Sequence, residues 1–367
     1  MKITREHKIE ETYRVAAIRG QFDYNADKTL HEWDINIDLP SDWQIGVIVG
    51  PSGSGKTTIG REYFGEENYF TGFEWKANSV VDDFPQDVDI KEITTALSSV
   101  GFSSPPNWLQ PFNTLSNGQK FRVEMARILF DKRKMIVVDE FTSVVDRTVA
   151  QVGSFAIQKY IRKNIKDKQI VLLSCHYDVL DWLQPDWVYD VNTGKTTRGS
   201  LRQRPVIKID IHKCDRKLWE LFRKHHYLDH NIMQAAQCFV GFVNGEPAVF
   251  TSYCHVFGHQ RKRIHRTVVL PDYQGIGLAN IMNEWLGEYV YEKHKMPLSI
   301  ITSHPALIHQ FSKSYKWSRI SMGHKIGKTA YGFNLAQETS MSALRVTASF
   351  LYVGNRGFEY LKGWKNA

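Results

Sequence analysis

The sequence predicts an α/β chain of two domains, a parallel-sheet domain followed by an α+β domain. Three observations carry this. Ile45–Val49, Met135–Val138 and Ile170–Leu173 are short, continuous, β-rich apolar runs, as expected of parallel strands covered on both faces. A glycine-rich segment, Gly50-Pro51-Ser52-Gly53-Ser54-Gly55-Lys56-Thr57, follows the first run and opens a helix at Lys56. Near residue 194 the composition changes to a basic, histidine-rich half. With 367 residues the chain is long enough for two separate cores.

Taken in order, residues 12–18 and 33–38 read as strands around a turn at Tyr24–Asp27. Apolar residues at 121, 125, 128 and 129 have a helical period, which predicts a helix over 117–130. Residues 147–165 are helical by the same criterion. Asn192–Lys195 reads as a hairpin turn closing the first domain. The domains are placed at 1–198 and 206–367, with a polar, basic linker at 199–205. The second begins with a strand at 206–211, a helix at 215–226 and a hairpin turning at Asn244-Gly245. A strand at 265–270 leads through a loop into a helix from 274 to about 293. Leu298–Thr302, Pro305–Tyr315 and Leu344–Val353 read as strand, helix and strand.

The bulk composition, 42% hydrophobic and 23% charged, is that of a folded globular chain. No apolar run approaches the ~20 residues that span a bilayer, so no membrane partner is expected. The polar start, Met1 to His7, does not read as a signal peptide. Four cysteines without metal spacing suggest reduced thiols and a cytoplasmic location. Charge is uneven. Residues 1–200 carry 24 Lys and Arg against 28 Asp and Glu, a net −4; residues 201–367 carry 23 against 11, a net +12. A basic half beside a mildly acidic one points to a polyanionic partner, of which nucleic acid is the commonest.

The Gly-x-x-x-x-Gly-Lys-Thr segment after a strand is a P-loop. Gly50, Ser52, Gly53, Ser54, Gly55 and Thr58 shape or flank a loop whose N–H groups face phosphate. Lys56 is expected to reach the β- and γ-phosphates of ATP, and Thr57 to ligate Mg²⁺. Asp139, ending its own strand, is the second expected Mg²⁺-site residue, and Glu140 is placed to polarise the attacking water. These motifs, with Leu115-Ser116-Asn117-Gly118-Gln119, resemble the ABC ATPase family over residues 1 to about 198. The resemblance assigns Ser116, Gly118 and Gln119 to the signature loop. Asp146 then matches the D-loop aspartate, His176 the catalytic switch histidine and Gln86 the metal-contacting Q-loop glutamine. Tyr24 is the adenine-stacking candidate, with Phe22 and Trp33 as rivals. Asn117 and Phe141 depart from the family's glycine and proline; Asn is expected to tolerate left-handed backbone there. The family pattern further implies a homodimer through the ATPase domains, with each signature loop closing over the other copy's ATP. The short interval from Gln86 to Leu115 argues against a transporter subunit.

In the second half, Gln274-Gly275-Ile276-Gly277-Leu278-Ala279 follows the strand containing Val268 and Val269 and opens a helix, a suitable cradle for pyrophosphate. It resembles the acyl-CoA motif of the GNAT acetyltransferases, which implies acetyl-CoA or another acyl-CoA as cofactor. Tyr315, His226 (within His225-His226-Tyr227) and Ser303-His304 are candidate proton-transfer groups. Arg261, Lys262, Arg263 and Arg266 form the densest basic run, readable as a solvated hairpin or as phosphate-backbone contacts. The His-His-Tyr segment with this core also resembles the phage Mom family of DNA-modifying enzymes. The expectation is an ATP-hydrolysing enzyme that modifies DNA or RNA. Acetylation of a protein or small amine, and a non-catalytic nucleic-acid clamp, stand as alternatives.

Overall fold

The computed structural model describes residues 1–22, 26–199, 206–226, 230–256, 258, 260–324 and 346–357. By its contacts the chain divides into two compact units. One comprises Met1–Phe73, Asp131–Val145 and Ile161–Arg204; the other comprises Glu74–Phe130, Asp146–Tyr160 and Pro205–Ala367.

The first unit holds strands β1 (Lys2–Lys8), β2 (Lys28–Asp34), β3 (Ile45–Val49), β4 (Tyr69–Phe70), β5 (Met135–Val138), β6 (Gln169–Ser174), β7 (Trp187–Asp190) and β8 (Lys195–Arg198). A six-stranded sheet has the order β4-β5-β6-β3-β7-β8, parallel throughout except for β7–β8. Ile45, Val47, Ile48, Val49 and Ile170 to Leu173 are fully buried, which explains their unbroken apolar character. Parallel register sets the C-terminal ends of β3, β5 and β6 side by side, so the loops after Val49, Val138 and Ser174 emerge together.

Residues 12–18, read as a strand, lie instead in the helix Tyr13–Phe22, which buries none of its side chains. The second expected strand is shifted: β2 ends at Asp34 and pairs antiparallel with β1. Of the turn between them, Tyr24 and Asn25 lie outside the described residues.

The second unit holds β9 (Asp210–Cys214), β10 (Gln237–Val243), β11 (Glu246–His255), β12 (Lys262–Val269), β13 (Leu298–Thr302), β14 (Trp317–His324) and β15 (Val346–Tyr352). They form a seven-stranded sheet ordered β14-β15-β13-β12-β11-β10-β9. Every pairing is antiparallel except β12–β13, which is parallel and touches only at Lys262–Leu298 and Arg263–Ser299. Beyond that pair no ladder pairing joins these two strands of the sheet. The helix Leu278–His294 covers it through Met282, Leu286 and Val290, packed with Val249, Tyr253, Ile264 and Phe350. Val152 and Phe155, from the helix Arg147–Asn164, join this same core. Residues from both sequence halves therefore share one apolar interior.

Two expectations here are corrected. The first strand begins at Asp210 rather than 206. The helix at 215–226 is three short turns, Arg216–Leu218, Trp219–Phe222 and Arg223–His225.

Candidate functional site

The loop after β3 turns back on itself through Gly53 (φ 78°) and Gly55 (φ 96°), and Gly55 caps the helix Lys56–Phe64. A Cβ on Gly55 would lie 2.5 Å from the Trp33 ring, whose Nε1–H donates to the Ser54 carbonyl at 3.0 Å. Trp33, a rival for adenine stacking by sequence, thus braces the back of the loop. The Lys56 ammonium, 8% exposed, donates to the carbonyls of Gly50 (2.9 Å) and Pro51 (2.8 Å).

Asp139 is the hub at the end of β5. Its Oδ2 accepts from Thr57 Oγ1 at 2.6 Å and from the Tyr69 hydroxyl at 2.5 Å, and its Oδ1 accepts from the Glu140 amide at 2.8 Å. The Thr57 hydroxyl and Asp139 carboxylate supply the hard oxygen donors that suit Mg²⁺. Burial, and then the bond to Asp139, pushes the Tyr69 hydroxyl up to about 12. Glu140 (φ 52°) and Thr142 (φ 69°) both hold left-handed backbone, and Ser143 Oγ donates to Glu140 Oε2 at 2.5 Å. The Ser143 hydroxyl thereby holds the Glu140 carboxylate against the turn. Thr142 Oγ1 lies 3.4 Å from His176 Nδ1. The backbone of this corner is pinned, since the Phe141 amide donates to Leu173 and Ser174 Oγ donates to the Phe141 carbonyl. Phe141 is buried, so the bulky replacement for proline fills space in the core. Sequence reasoning missed Tyr69, which reaches Asp139 through the pairing of β4 with β5 that no motif encodes.

The signature residues lie in the second unit. Ser116 caps the helix Asn117–Ile128 by a capping box: its hydroxyl accepts from the Gln119 amide, and Gln119 Oε1 accepts from the Ser116 amide at 2.9 Å. Asn117 is ordinary helix, so it needs no left-handed backbone, contrary to the expectation. Gly118 faces Val149, and Asp146 Oδ1 accepts from the Val149 amide at 3.0 Å, capping the helix Arg147–Asn164. Gln86 is exposed in a turn closed by the Val88 amide on the Pro85 carbonyl.

The loop Gln274–Ala279 leaves β12 and enters the helix Leu278–His294 through Gly277 (φ 91°), with no side-chain cap. A Cβ on Gly277 would meet nothing within 4 Å. This end of the loop, at Gly277, Leu278 and Ala279, fits an anion such as the pyrophosphate of acyl-CoA. The other end is engaged. Gly275 (φ 94°) lies so close to Ala156 and Gly101 that a Cβ would stand 2.7 Å from the Ala156 Cβ. Gln274 is held by Ser103 and Arg122. Val268 and Val269 face opposite sides of β12, Val268 beside Phe250 and Trp219, Val269 against the core of the covering helix. Ile276 is buried in that same core.

Tyr315 is 71% exposed. His226 packs edge-on to Trp219, with ring centroids 5.8 Å apart. Burial lowers the pKa of His225, and it lowers that of His304, whose Nε2–H donates to the Ser103 carbonyl at 3.0 Å. The basic run is half-buried and, from Lys262 onward, forms the start of β12, the second strand of the β11–β12 hairpin. Arg266 donates to the His265 and Asn231 carbonyls at 2.9 Å. One cavity of this unit is lined by Ser116, Gln119, Arg122, Lys224, His225 and Asp272, joining signature residues to residues of the second half. Tyr24 lies outside the described residues. No helix among the described residues is long and apolar enough to cross a membrane.

No family model matches the chain. Energy-coupling factor transporter ATP-binding proteins of Staphylococcus aureus are 25% identical over 211 residues, covering 47% of this chain and 76% of theirs. A dimeric bacterial ABC transporter cassette aligns with a TM-score of 0.35 at 16% identity, over 44% of this chain and 89% of that one. The IAA acetyltransferase of Bacillus cereus aligns with a TM-score of 0.30 at 12% identity, over 40% of this chain and 99% of that one. These matches give no support to the Mom resemblance. The sequence similarity over the first half, the parallel sheet that ends in a glycine-rich phosphate loop and an Asp-Glu pair, and the seven-stranded mixed sheet with its glycine-opened helix lead to one statement. Over its first half the chain is similar to ABC-type ATP-binding proteins, and its second half is an α+β fold built on a seven-stranded mixed sheet.

Proposed function

We propose that this chain is an ATP-hydrolysing nucleic-acid modification enzyme. Two cassettes pair around ATP, and the GNAT-like region transfers an acyl-CoA-derived group to a base of DNA or RNA. The observation that carries the reading is the shared core, in which Val152 and Phe155 of the cassette pack with Phe239, Tyr253 and Met282 of the second half. A thioester is already activated and needs no ATP for acyl transfer. ATP joined this closely to an acyltransferase fold then serves motion, such as clamping or loading a large substrate. The net +12 of residues 201–367 suits a polyanion.

In this reading Lys56 and the loop amides hold the phosphates, with Thr57 and Asp139 around Mg²⁺. Glu140, steadied by Ser143, orients the attacking water, and His176 stands at the γ-phosphate. Ser116, Gly118 and Asp146 serve the partner copy's nucleotide. Acyl-CoA, when bound, supplies the activated acyl group, and the amides of Gly277 to Ala279 bind its pyrophosphate. Tyr315 and His226 remain the proton-transfer candidates. A base in a duplex has to leave the stack to be reached. Mass spectrometry of nucleosides from cells with and without the protein tests the proposal; an unchanged nucleoside profile removes it.

One observation favours a second reading. Arg266 is spent on backbone carbonyls and its basic neighbours are half-buried. An ATP-regulated N-acetyltransferase of a protein or small amine needs no phosphate-binding surface. Stimulation of ATPase activity by nucleic acid separates the two readings.

A further inference from the structure

Within the second unit, residues far apart in sequence meet at Arg122. It lies on the signature helix Asn117–Ile128 and is 2% exposed. Its guanidinium donates to three carbonyls, Val100 at 2.7 Å, Asp272 at 3.1 Å and Gln274 at 3.2 Å. Two of these acceptors belong to the approach and first residue of the loop Gln274–Ala279. Burial pushes the Arg122 pKa down to about 10, and Asp272 and Asp146 oppose that shift.

The neighbouring contacts leave the loop little freedom of its own. Ser103 donates to Gln274 Oε1 from both its hydroxyl (2.6 Å) and its amide (3.3 Å). Gln274 Nε2 donates to the Val269 carbonyl at 3.1 Å. The Ser103 carbonyl accepts from His304, which opens the helix Pro305–Lys313 after β13. Gly275 rests on Gly101 and Ala156 with no room for a methyl group. Each of these is a directional bond or hard contact between buried or half-buried groups. Displacing the signature helix alone strands a buried guanidinium and several carbonyls, so helix and loop move together.

We propose that Arg122, assisted by Ser103, is the positioning residue through which the nucleotide state at the signature helix sets the affinity of the Gln274–Ala279 loop for acyl-CoA. The inference rests on the reading of that loop as an acyl-CoA site. It adds a regulation that neither motif contains by itself. Because coupling between two binding sites is reciprocal, acyl-CoA must alter ATP affinity by the same factor.

The test uses the full chain carrying Glu140→Gln, so that ATP persists, and titrates acetyl-CoA calorimetrically with and without ATP and Mg²⁺. The expected result is a change of about five-fold or more in acetyl-CoA Kd, matched by the same change in ATP Kd when acetyl-CoA is present. Adding Arg122→Met or Ser103→Ala is expected to bring both ratios to one while each ligand still binds alone. Should Arg122→Met fail to fold, as judged by its thermal melt, Ser103→Ala carries the test. Two results overturn the inference alone: both ligands bind the parent with ratios of one, or the coupling persists undiminished in the variants. Absence of acetyl-CoA binding in every nucleotide state removes the acyl-CoA reading, and this inference with it.

Discussion

A Cβ on Gly55 would stand 2.5 Å from the Trp33 ring, at a φ of 96° that side chains rarely adopt. Gly55→Ala therefore combines a left-handed backbone cost of about 1–2 kcal/mol with an overpacking cost of about 1–3 kcal/mol. Removing the ring should relieve only the second. A double-mutant cycle with Trp33→Ala, read by urea unfolding, is expected to be non-additive, the alanine at 55 costing less once the ring is gone. Strict additivity would mean that Trp33 does not brace the loop. His304 makes a residue-scale prediction about pH. Burial depresses its pKa in the folded chain, as it does for His225 and His294. Below the unfolded value of about 6.5 the unfolded chain binds more protons than the folded one, so stability falls with falling pH. The contribution is fully present above that value and is lost as pH drops toward the depressed folded pKa. His304→Gln keeps a donor for the Ser103 carbonyl and cannot titrate. It is expected to flatten the fall in urea midpoint between pH 7 and 5.5, and an unchanged slope would exclude His304 as a source.

At the scale of elements, the signature helix separates two uses of one sequence. Asn117 is its first helical residue, and the capping box of Ser116 and Gln119 is complete without a glycine there. Asn117→Gly, which restores the family's pattern, is expected to lower stability by about 0.5–1 kcal/mol through backbone entropy, with ATPase activity retained. A gain in stability would show that Asn117 is strained. The same scale shows what the sequence could and could not disclose. β3, β5 and β6 were legible because burial on both faces leaves nothing but apolar residues to be read. The phosphate loop and the Asp139-Glu140 pair were legible because their chemistry fixes residue types at fixed spacing. Tyr13–Phe22 was misread since, with no buried face, its sequence has no periodicity to impose. The basic run does lie in a hairpin, β11–β12, but not a fully solvated one, since β12 alternates Arg263 with buried Ile264. The bonds joining Ser103 and Arg122 to Gln274 span 150 residues or more, and no local pattern announces them.

The whole molecule is expected to act in pairs. With ATP and Mg²⁺, the Glu140→Gln chain should sediment at twice its 42.5 kDa, while Lys56→Ala should remain at that mass. A monomer in every nucleotide state would remove the shared-site model of hydrolysis, since Ser116 would then have no nucleotide to meet. The last expectation concerns charge. If residues 201–367 hold duplex DNA through Arg261, Lys262, Arg263 and Arg266, binding releases counterions. The logarithm of affinity then falls with the logarithm of salt at a slope of about −0.9 per phosphate contact, or about −3.6 for four. Replacing Arg261, Lys262 and Arg263 together by alanine should make the slope shallower by about 2.7, measured by fluorescence anisotropy on the ATP-bound full chain. Arg266 serves as an internal contrast, because its guanidinium already donates to the Asn231 and His265 carbonyls. Its loss should cost stability as well as affinity. A salt slope near zero would leave the net +12 as surface charge alone, and the acceptor would then have to be sought among proteins or small amines.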